Sequence, residues 1–329
     1  MFREMTLRGI DKSVRVALKS YKSRSRRRPN LPVPGSWFQC KFLSVGPRPR
    51  FEAVDGGRRI TSMPLYMDIH RINTELAELG IAADQPLTPD QLFPFDQFHY
   101  LGTDAVRAAA GIIGLGRASR VLEVGSGLGG PARYLTHTVG CQVTALELQE
   151  ELHALASTLT QRCGLESRVT HVRGDALTYP FAENAFDAVV SWLAIHHIRA
   201  RPRLLARLAA TLRPGGQIYI EDLVVRSPFS ERDAQTVRQM LYGETVTSVE
   251  DYIADIVKAG FVDIDTTDMT PAWTVFCQGR AAAYVASRDR QERVHGTQIA
   301  ARLETFFSTV HRLFASGSLG GVRIVARRS

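Results

Sequence analysis

Three carboxylates in the middle of the chain stand where short apolar runs meet glycine or polar residues. Glu123 precedes Gly125 by two positions in VLEVGSGLGGPARYL, residues 121–135. Glu147 closes a second apolar run 22 residues after Gly125, and Asp175 follows Gly174 in RVTHVRGDA. A carboxylate can accept hydrogen bonds from both hydroxyls of a ribose, or from the amino group of an adenine. It attracts a neighbouring cation and repels a pyrophosphate. Glu123 beside a glycine-rich turn therefore points to an adenosine with a positively charged tail, not to a dinucleotide.

Other side chains with chemical potential cluster near the ends of further apolar runs. His196 and His197 follow FDAVVSWLAI and offer a general base or an acceptor anchor. The alternative is one histidine packed in the core and the other solvated. His99 and Tyr100, in the aromatic stretch PFDQFHYLG, can close over a ligand or serve only as an apolar lid. Glu221 and Asp222 end a fifth run and can attract an amine, or be a solvated strand end or helix cap. Trp192 and Trp273 can form a cation–π wall or be core residues. Adjacent histidines on a strand point opposite ways, so no metal site is expected.

The elements that must hold these groups alternate. Strands are expected at 120–125, 141–148, 168–176 and 215–223, and 186–198 reads as a strand running into a loop, with helices at 130–139, 149–165 and 199–212 between them. Strand–helix alternation means a doubly wound parallel sheet with helices on both faces and ligands at the carboxyl ends of the strands. Gly125, Gly127 and Gly130 match G-x-G-x-x-G, and a glycine turn there can set backbone N–H groups and a helix N-terminus against a ligand. Further on, Ser248 is a helix N-cap, Gly260 ends that helix, and 261–269, 296–316 and 320–328 read as strand, helix and strand.

The successive segments VLEVGSGLGG, ALEL, RGDA, FDAVVS and LRPGG resemble the motifs of class I S-adenosylmethionine-dependent methyltransferases, in order and spacing, over about residues 95–225. FDQFHYLGTDAV and the terminal helix plus strand are similar to a small-molecule subgroup that includes sarcosine/dimethylglycine- and tocopherol-type enzymes. The resemblance implies an α/β, Rossmann-like seven-stranded sheet, mostly parallel, with an antiparallel last strand. It implies S-adenosylmethionine as cofactor. Gly125, Ser126, Gly127 and Gly129 would pack under its methionine part, and Glu123 would face its amino group. Glu147 with Leu148 would take the ribose side, Asp175 and Ala176 the adenine, and Ser191 and Trp192 the wall after strand four. Many family members carry Asp where this chain has Glu123 and Glu147.

The implied reaction is methyl transfer to a small-molecule acceptor, an amine above all, with His196 and Tyr100 as candidate catalytic residues. The alternatives are an NAD-dependent oxidoreductase and a non-catalytic cofactor-binding relative. Residues 1–60 hold 15 Lys and Arg against 4 Asp and Glu, so the net charge of +8 belongs to a leader, which argues against nucleic acid as a partner of the body. The leader, residues 1–62 with its linker, has a transit-peptide composition or is a basic tail, giving a cytoplasmic, mitochondrial or plastid location. The methyltransferase domain is expected over 63–329, with a helical lid at its start and a helical insertion near 279–316. Cys40, Cys141, Cys163 and Cys277 lack CxxC spacing and read as reduced thiols. No apolar run approaches the length of a membrane span.

Overall fold

A computed structural model of the protein describes residues 68–329. The leader and linker of residues 1–62, with Cys40, lie outside the described residues.

Seven strands form one sheet: β1 (Arg120–Val124), β2 (Gln142–Glu147), β3 (Val169–Arg173), β4 (Phe186–Trp192), β5 (Leu212–Val225), β6 (Phe261–Asp268) and β7 (Leu319–Arg328). Their order is β3-β2-β1-β4-β5-β7-β6. The first five are parallel, and β7 runs antiparallel to both β5 and β6. The mostly parallel sheet with an antiparallel last strand is thus the observed one.

Helices α1 (Arg71–Glu78), α2 (Pro89–Asp96) and α3 (Gly102–Ile112) precede the sheet. Helices α4 (Gly130–Thr138), α5 (Glu150–Arg162) and α6 (Arg201–Thr211) follow β1, β2 and β4, as parallel crossovers require. Helices α7 (Glu231–Met240) and α8 (Val249–Lys258) separate β5 from β6. Helices α9 (Thr270–Ala286), α10 (Arg288–His295) and α11 (Thr297–Ala315) separate β6 from β7. Among the described residues no helix is long and apolar enough to cross a membrane.

The strand period of two sorts the core onto two faces. Leu122, Val124, Leu146, Val189, Ile218 and Ile220 pack with Leu204, Leu208, Ile253 and Ile256 of α6 and α8. Val121, Val143, Ala145, Val190 and Tyr219 pack with Val106, Ala109, Ala132 and Leu135 of α3 and α4. Glu123, two residues on from Val121, therefore falls on the α4 face, in the middle of an apolar layer. Ile72 and Leu76 of α1 share a third cluster with Leu152, Leu155 and Leu159 of α5. Tyr100, Trp273, Leu313 and Phe314 anchor a fourth, which joins α9 and α11 to the sheet.

The ends of three elements are set by packing, and two of them depart from the sequence-based expectation. Strand β4 gives way to the expected loop after Trp192, where Leu193 adopts φ +52° and turns the chain into a single 3-10 turn at Ile195–His197. Strand β5 continues past 223 to Val225, since β7 pairs with it along its outer edge. The helical segment between β6 and β7 begins at Thr270 rather than near 279, with Pro271 in its first turn. That helix is apolar on more than one side, because it is packed between the sheet and α11, and its sequence shows little helical period.

Candidate active site

The strand order reverses between β1 and β4, and the crevice at such a switch point is where open α/β sheets bind ligands. The carboxyl ends of β1 to β4 line a cleft there of about 970 Å³, counting its open mouth. Glu123, Gly125, Ser126, Gly127, Glu147, Leu148, Asp175, Ala176 and Trp192 all line it. The three motif acids, separated by more than fifty residues of sequence, thus share one wall.

The glycine turn is held from within. Gly125 has φ +74°, and a Cβ there would stand 2.3 Å from the Ala194 Cβ, so both backbone conformation and close packing demand glycine. The N–H groups of Gly125 and Ser126 donate to the Leu146 carbonyl at 2.9 and 3.0 Å. Gly127 N–H donates to Glu147 Oε2 at 2.9 Å, and Gly129 N–H to the Ser126 carbonyl at 2.8 Å. The expected cradle of open N–H groups is therefore not there: these four donors are already spent. Glu147 Oε1 accepts from Gln149 N–H at 2.9 Å. Each of its oxygens keeps a second lone pair for an incoming hydroxyl.

Glu123 is 2% exposed, and its Oε2 has no hydrogen-bond partner among the described residues. Burial pushes its carboxyl up to about 8; the Arg133 charge opposes that rise and the Glu147 carboxylate adds to it. The Ser126 hydroxyl, in the turn that lines the same cleft, is likewise buried without a partner among the described residues. Asp175 is exposed at the rim, with Oδ1 accepting from Leu177 N–H at 2.8 Å. Leu148 is 51% exposed and lines the same wall. An exposed leucine between two carboxylates offers an apolar face for a flat ring whose edges are polar. These residues fit an adenosine carrying a cationic amino-acid tail: Glu123 would meet the ammonium, Glu147 the ribose, Asp175 the adenine edge. They do not fit a pyrophosphate, which would find spent donors and an acid.

Four of the expected site residues lie elsewhere. Gly129 does not line the cleft; its missing side chain makes room for His171, whose Cε1 would stand 2.6 Å from a Cβ. Ser191 is fully buried and donates to the Val124 carbonyl at 3.0 Å, tying β4 to β1. His196 is turned into the core, with Nδ1 2.5 Å from Asp222 Oδ1. Tyr100 is enclosed by Trp273 and Phe314, at ring separations of 4.8 and 5.7 Å. Glu221 and Asp222 are not a strand end. Both are buried in mid-strand, Glu221 with Arg323 and Tyr219, Asp222 with His196 and the Tyr252 hydroxyl. Trp273 is core, and a Cβ on Gly321 would collide with its ring.

His197 takes the place expected for His196 at the cleft. The 3-10 turn brings the two rings to 3.9 Å from each other, where a continuing strand would have sent them to opposite faces. His197 Nδ1 lies 3.0 Å from the Tyr242 carbonyl and must donate to it, which leaves Nε2 as an acceptor. Burial, with the nearby His196, holds its imidazole well below the usual range, so it is neutral.

Sequence reading also missed Arg133. It is fully buried, and its guanidinium donates to Asp96 Oδ2 at 2.9 Å, the Leu128 carbonyl at 2.5 Å and Thr160 Oγ1 at 3.0 Å. It thereby joins α2, the glycine turn and α5. Asp96, Phe98 and His99 then close one side of the cleft, with the His99 ring stacked on Trp192 at 5.6 Å. The one available signal was an arginine inside the otherwise small and apolar start of α4.

The fold and this site are similar to those of S-adenosylmethionine-dependent methyltransferases. Residues 122–220 match the methyltransferase domain family. The chain is 27% identical to a glycine/sarcosine/dimethylglycine N-methyltransferase of Actinopolyspora halophila, over 56% of this chain and 33% of that protein. It is 29% identical to the 27-O-demethylrifamycin SV methyltransferase of Amycolatopsis mediterranei, over 67% of this chain and 80% of that one. It thus spans a third of the first relative's length and four fifths of the second's. Among solved structures, phosphoethanolamine N-methyltransferase 2 of Haemonchus contortus, with phosphomonomethylethanolamine and S-adenosylhomocysteine, superposes with a TM-score of 0.68 at 24% identity. That match covers 73% of this chain and 56% of the other.

Proposed function

We propose that this protein transfers a methyl group from S-adenosylmethionine to a small-molecule amine. The observation that carries the reading is the buried, unpartnered Oε2 of Glu123 at the cleft, beside a glycine turn whose own donors are spent. Such a site favours a cationic ligand and disfavours a phosphate. When bound, the cofactor supplies an electrophilic methyl group on a positively charged sulfur. Glu123 orients its amino group, Glu147 its ribose, and Asp175 with Ala176 its base. Trp192, Leu193 and Phe98 keep water from the reacting end.

An amine acceptor attacks only as the free base, so its ammonium must first lose a proton. His197 is placed to orient that free base: its Nδ1 is committed to the Tyr242 carbonyl, and its neutral Nε2 can accept a hydrogen bond from the amine N–H at the cleft. His196 and Asp222 support the turn that carries it.

The relative of Actinopolyspora halophila is named for methylating glycine, sarcosine and dimethylglycine, which supports an amine acceptor. The test is calorimetry on the full chain with S-adenosylhomocysteine and with NAD, followed by methyl transfer to a panel of amines. Saturable binding of S-adenosylhomocysteine that Glu147→Ala abolishes, with turnover on an amine, is the expected result. Binding of NAD alone would return the site to the oxidoreductases. Cofactor binding without turnover on any acceptor class would make the protein a non-catalytic relative.

A further inference from the structure

Arg201, the first residue of α6, is buried and does not itself line the cleft. Its guanidinium joins two neighbouring elements. On α8, Asp255 Oδ2 accepts from Nε and Nη2 at 3.0 and 2.7 Å, and the Tyr252 ring centre lies 4.4 Å from the guanidinium carbon. In the loop between α7 and α8, the Thr245 carbonyl accepts from Nη1 at 2.8 Å.

Two arms run from there to the paired histidines. The first passes through side chains. The Tyr252 hydroxyl donates to Asp222 Oδ2 at 3.0 Å, and Asp222 Oδ1 stands 2.5 Å from His196 Nδ1. The second passes through the loop. Thr245 N–H donates to the His196 carbonyl at 3.0 Å, and the Tyr242 carbonyl of the same loop accepts from His197 Nδ1 at 3.0 Å.

Both arms bear on one atom, His197 Nε2. The Asp222 arm takes His196 away from the cleft, although its ring stands only 3.9 Å from that of His197. The loop arm aims the carbonyl that engages the Nδ1 proton, which leaves Nε2 as the acceptor. That carbonyl belongs to Tyr242, whose φ of +49° is a left-handed conformation that a bulky residue keeps only where its surroundings hold it. Stability alone does not call for a charged joint here. An apolar pair in place of a buried ion pair is often neutral or stabilising, but it has no further donor for the Thr245 carbonyl.

We propose that Arg201 is a positioning residue: from outside the cleft it holds His197 in the tautomer with Nδ1–H on the Tyr242 carbonyl and Nε2 open to the amine. The proposal rests on the methyltransferase reading above and adds the residue that sets its histidine.

The test uses the full chain, 15N-labelled at histidine, with S-adenosylhomocysteine bound. The imidazole nitrogen signals of His197 are those lost in His197→Asn. In wild type they should report the Nδ1–H tautomer alone. Arg201→Met removes the donors, and Asp255→Leu in the same chain removes the acid it would strand. In that double variant the melting temperature should stay close to that of wild type, while the His197 signals become those of a tautomer mixture. Displacing a group by about 1 Å can cost about 100-fold, so kcat with sarcosine as the probe amine should fall at least about tenfold, with KM for S-adenosylmethionine changed less than about twofold. Arg201→Lys keeps the charge beside Asp255 but not the fork. It should show the same changes to a smaller extent, and it carries the test if the double variant does not fold. Any other tautomer in wild type, or an unchanged tautomer in both variants, would overturn the proposal whatever kcat does. So would a mixed tautomer with kcat unchanged, because the ring would then have no part in methyl transfer. Should wild type not turn over sarcosine, the tautomer alone decides. Failure of wild type to bind S-adenosylhomocysteine would instead overturn the methyltransferase reading, and the tautomer of the unliganded chain would still decide the role of Arg201.

Discussion

Ligand binding to this protein should release a proton, and Glu123 should be its source. In the free protein burial holds the Glu123 carboxyl at about 8, so at neutral pH it is mostly protonated. An ammonium brought against Oε2 favours the carboxylate and draws that value down. Below pH 8 binding must then first ionise the group, and affinity falls as pH falls. With a free value of about 8, the ionised fraction is roughly 1% at pH 6 and one half at pH 8. The affinity for S-adenosylhomocysteine should therefore rise about 50-fold between those values, about 2.3 kcal/mol. Calorimetry in buffers of different ionisation enthalpy reads both quantities: the change in affinity, and close to one proton released at pH 6.5. Glu123→Gln should bind more weakly at pH 8, show no steep pH dependence and release almost no proton. A flat affinity profile in wild type, or equal proton release in wild type and variant, would refute the reasoning that Glu123 receives the ligand's cation.

The same carboxyl is protonated more readily in the folded than in the unfolded chain, so its contribution to stability falls as pH rises from the ordinary carboxylate range towards 8. Unliganded Glu123→Gln should thus melt higher than wild type at pH 8.5 and close to it at pH 5. Arg133→Met strips a fully buried guanidinium from Asp96 and should cost about 3–5 kcal/mol in denaturant unfolding, with Asp96→Asn in the same chain restoring part of it. Gly125→Ala drives a methyl group into Ala194 at a left-handed φ, while at Gly127 a Cβ meets only Phe98 at 3.9 Å. Gly125→Ala should therefore lose ligand binding, and Gly127→Ala should cost only about 1–2 kcal/mol of backbone strain. His197→Asn should lower kcat on an amine and leave S-adenosylhomocysteine binding intact, whereas His196→Asn should lower the melting temperature by stranding Asp222; the reverse pattern would exchange their roles.

Local pattern was enough for most of the framework. Five strands and their helices declare themselves because each strand begins as a short apolar run and each helix has its own period, and parallel connection follows from their alternation. Glu123, Gly125, Glu147 and Asp175 were legible for the same reason, since strand ends in such a sheet converge on one edge whatever the details of packing. Ser248 and Gly260 mark the ends of α8 by the chemistry of a single turn: the Ser248 hydroxyl accepts from Asp251 N–H, and Gly260 takes φ +89°.

What the pattern could not decide was which way a side chain turns once regular structure stops. His196 and His197 are equivalent in sequence, and only the left-handed Leu193 and the turn after it send one to Asp222 and the other to the cleft. Glu221 and Asp222 read as polar strand ends because their partners, Arg323 and His196, lie 102 and 26 residues away. The spent donors of the glycine turn depend on a neighbouring strand. The sequence alone determined a sheet edge rich in acid for a cationic adenosine ligand, because strand ends and glycine turns are local facts. The tertiary structure decided which of those acids are satisfied and which await a ligand, because hydrogen-bond satisfaction belongs to pairs brought together by packing.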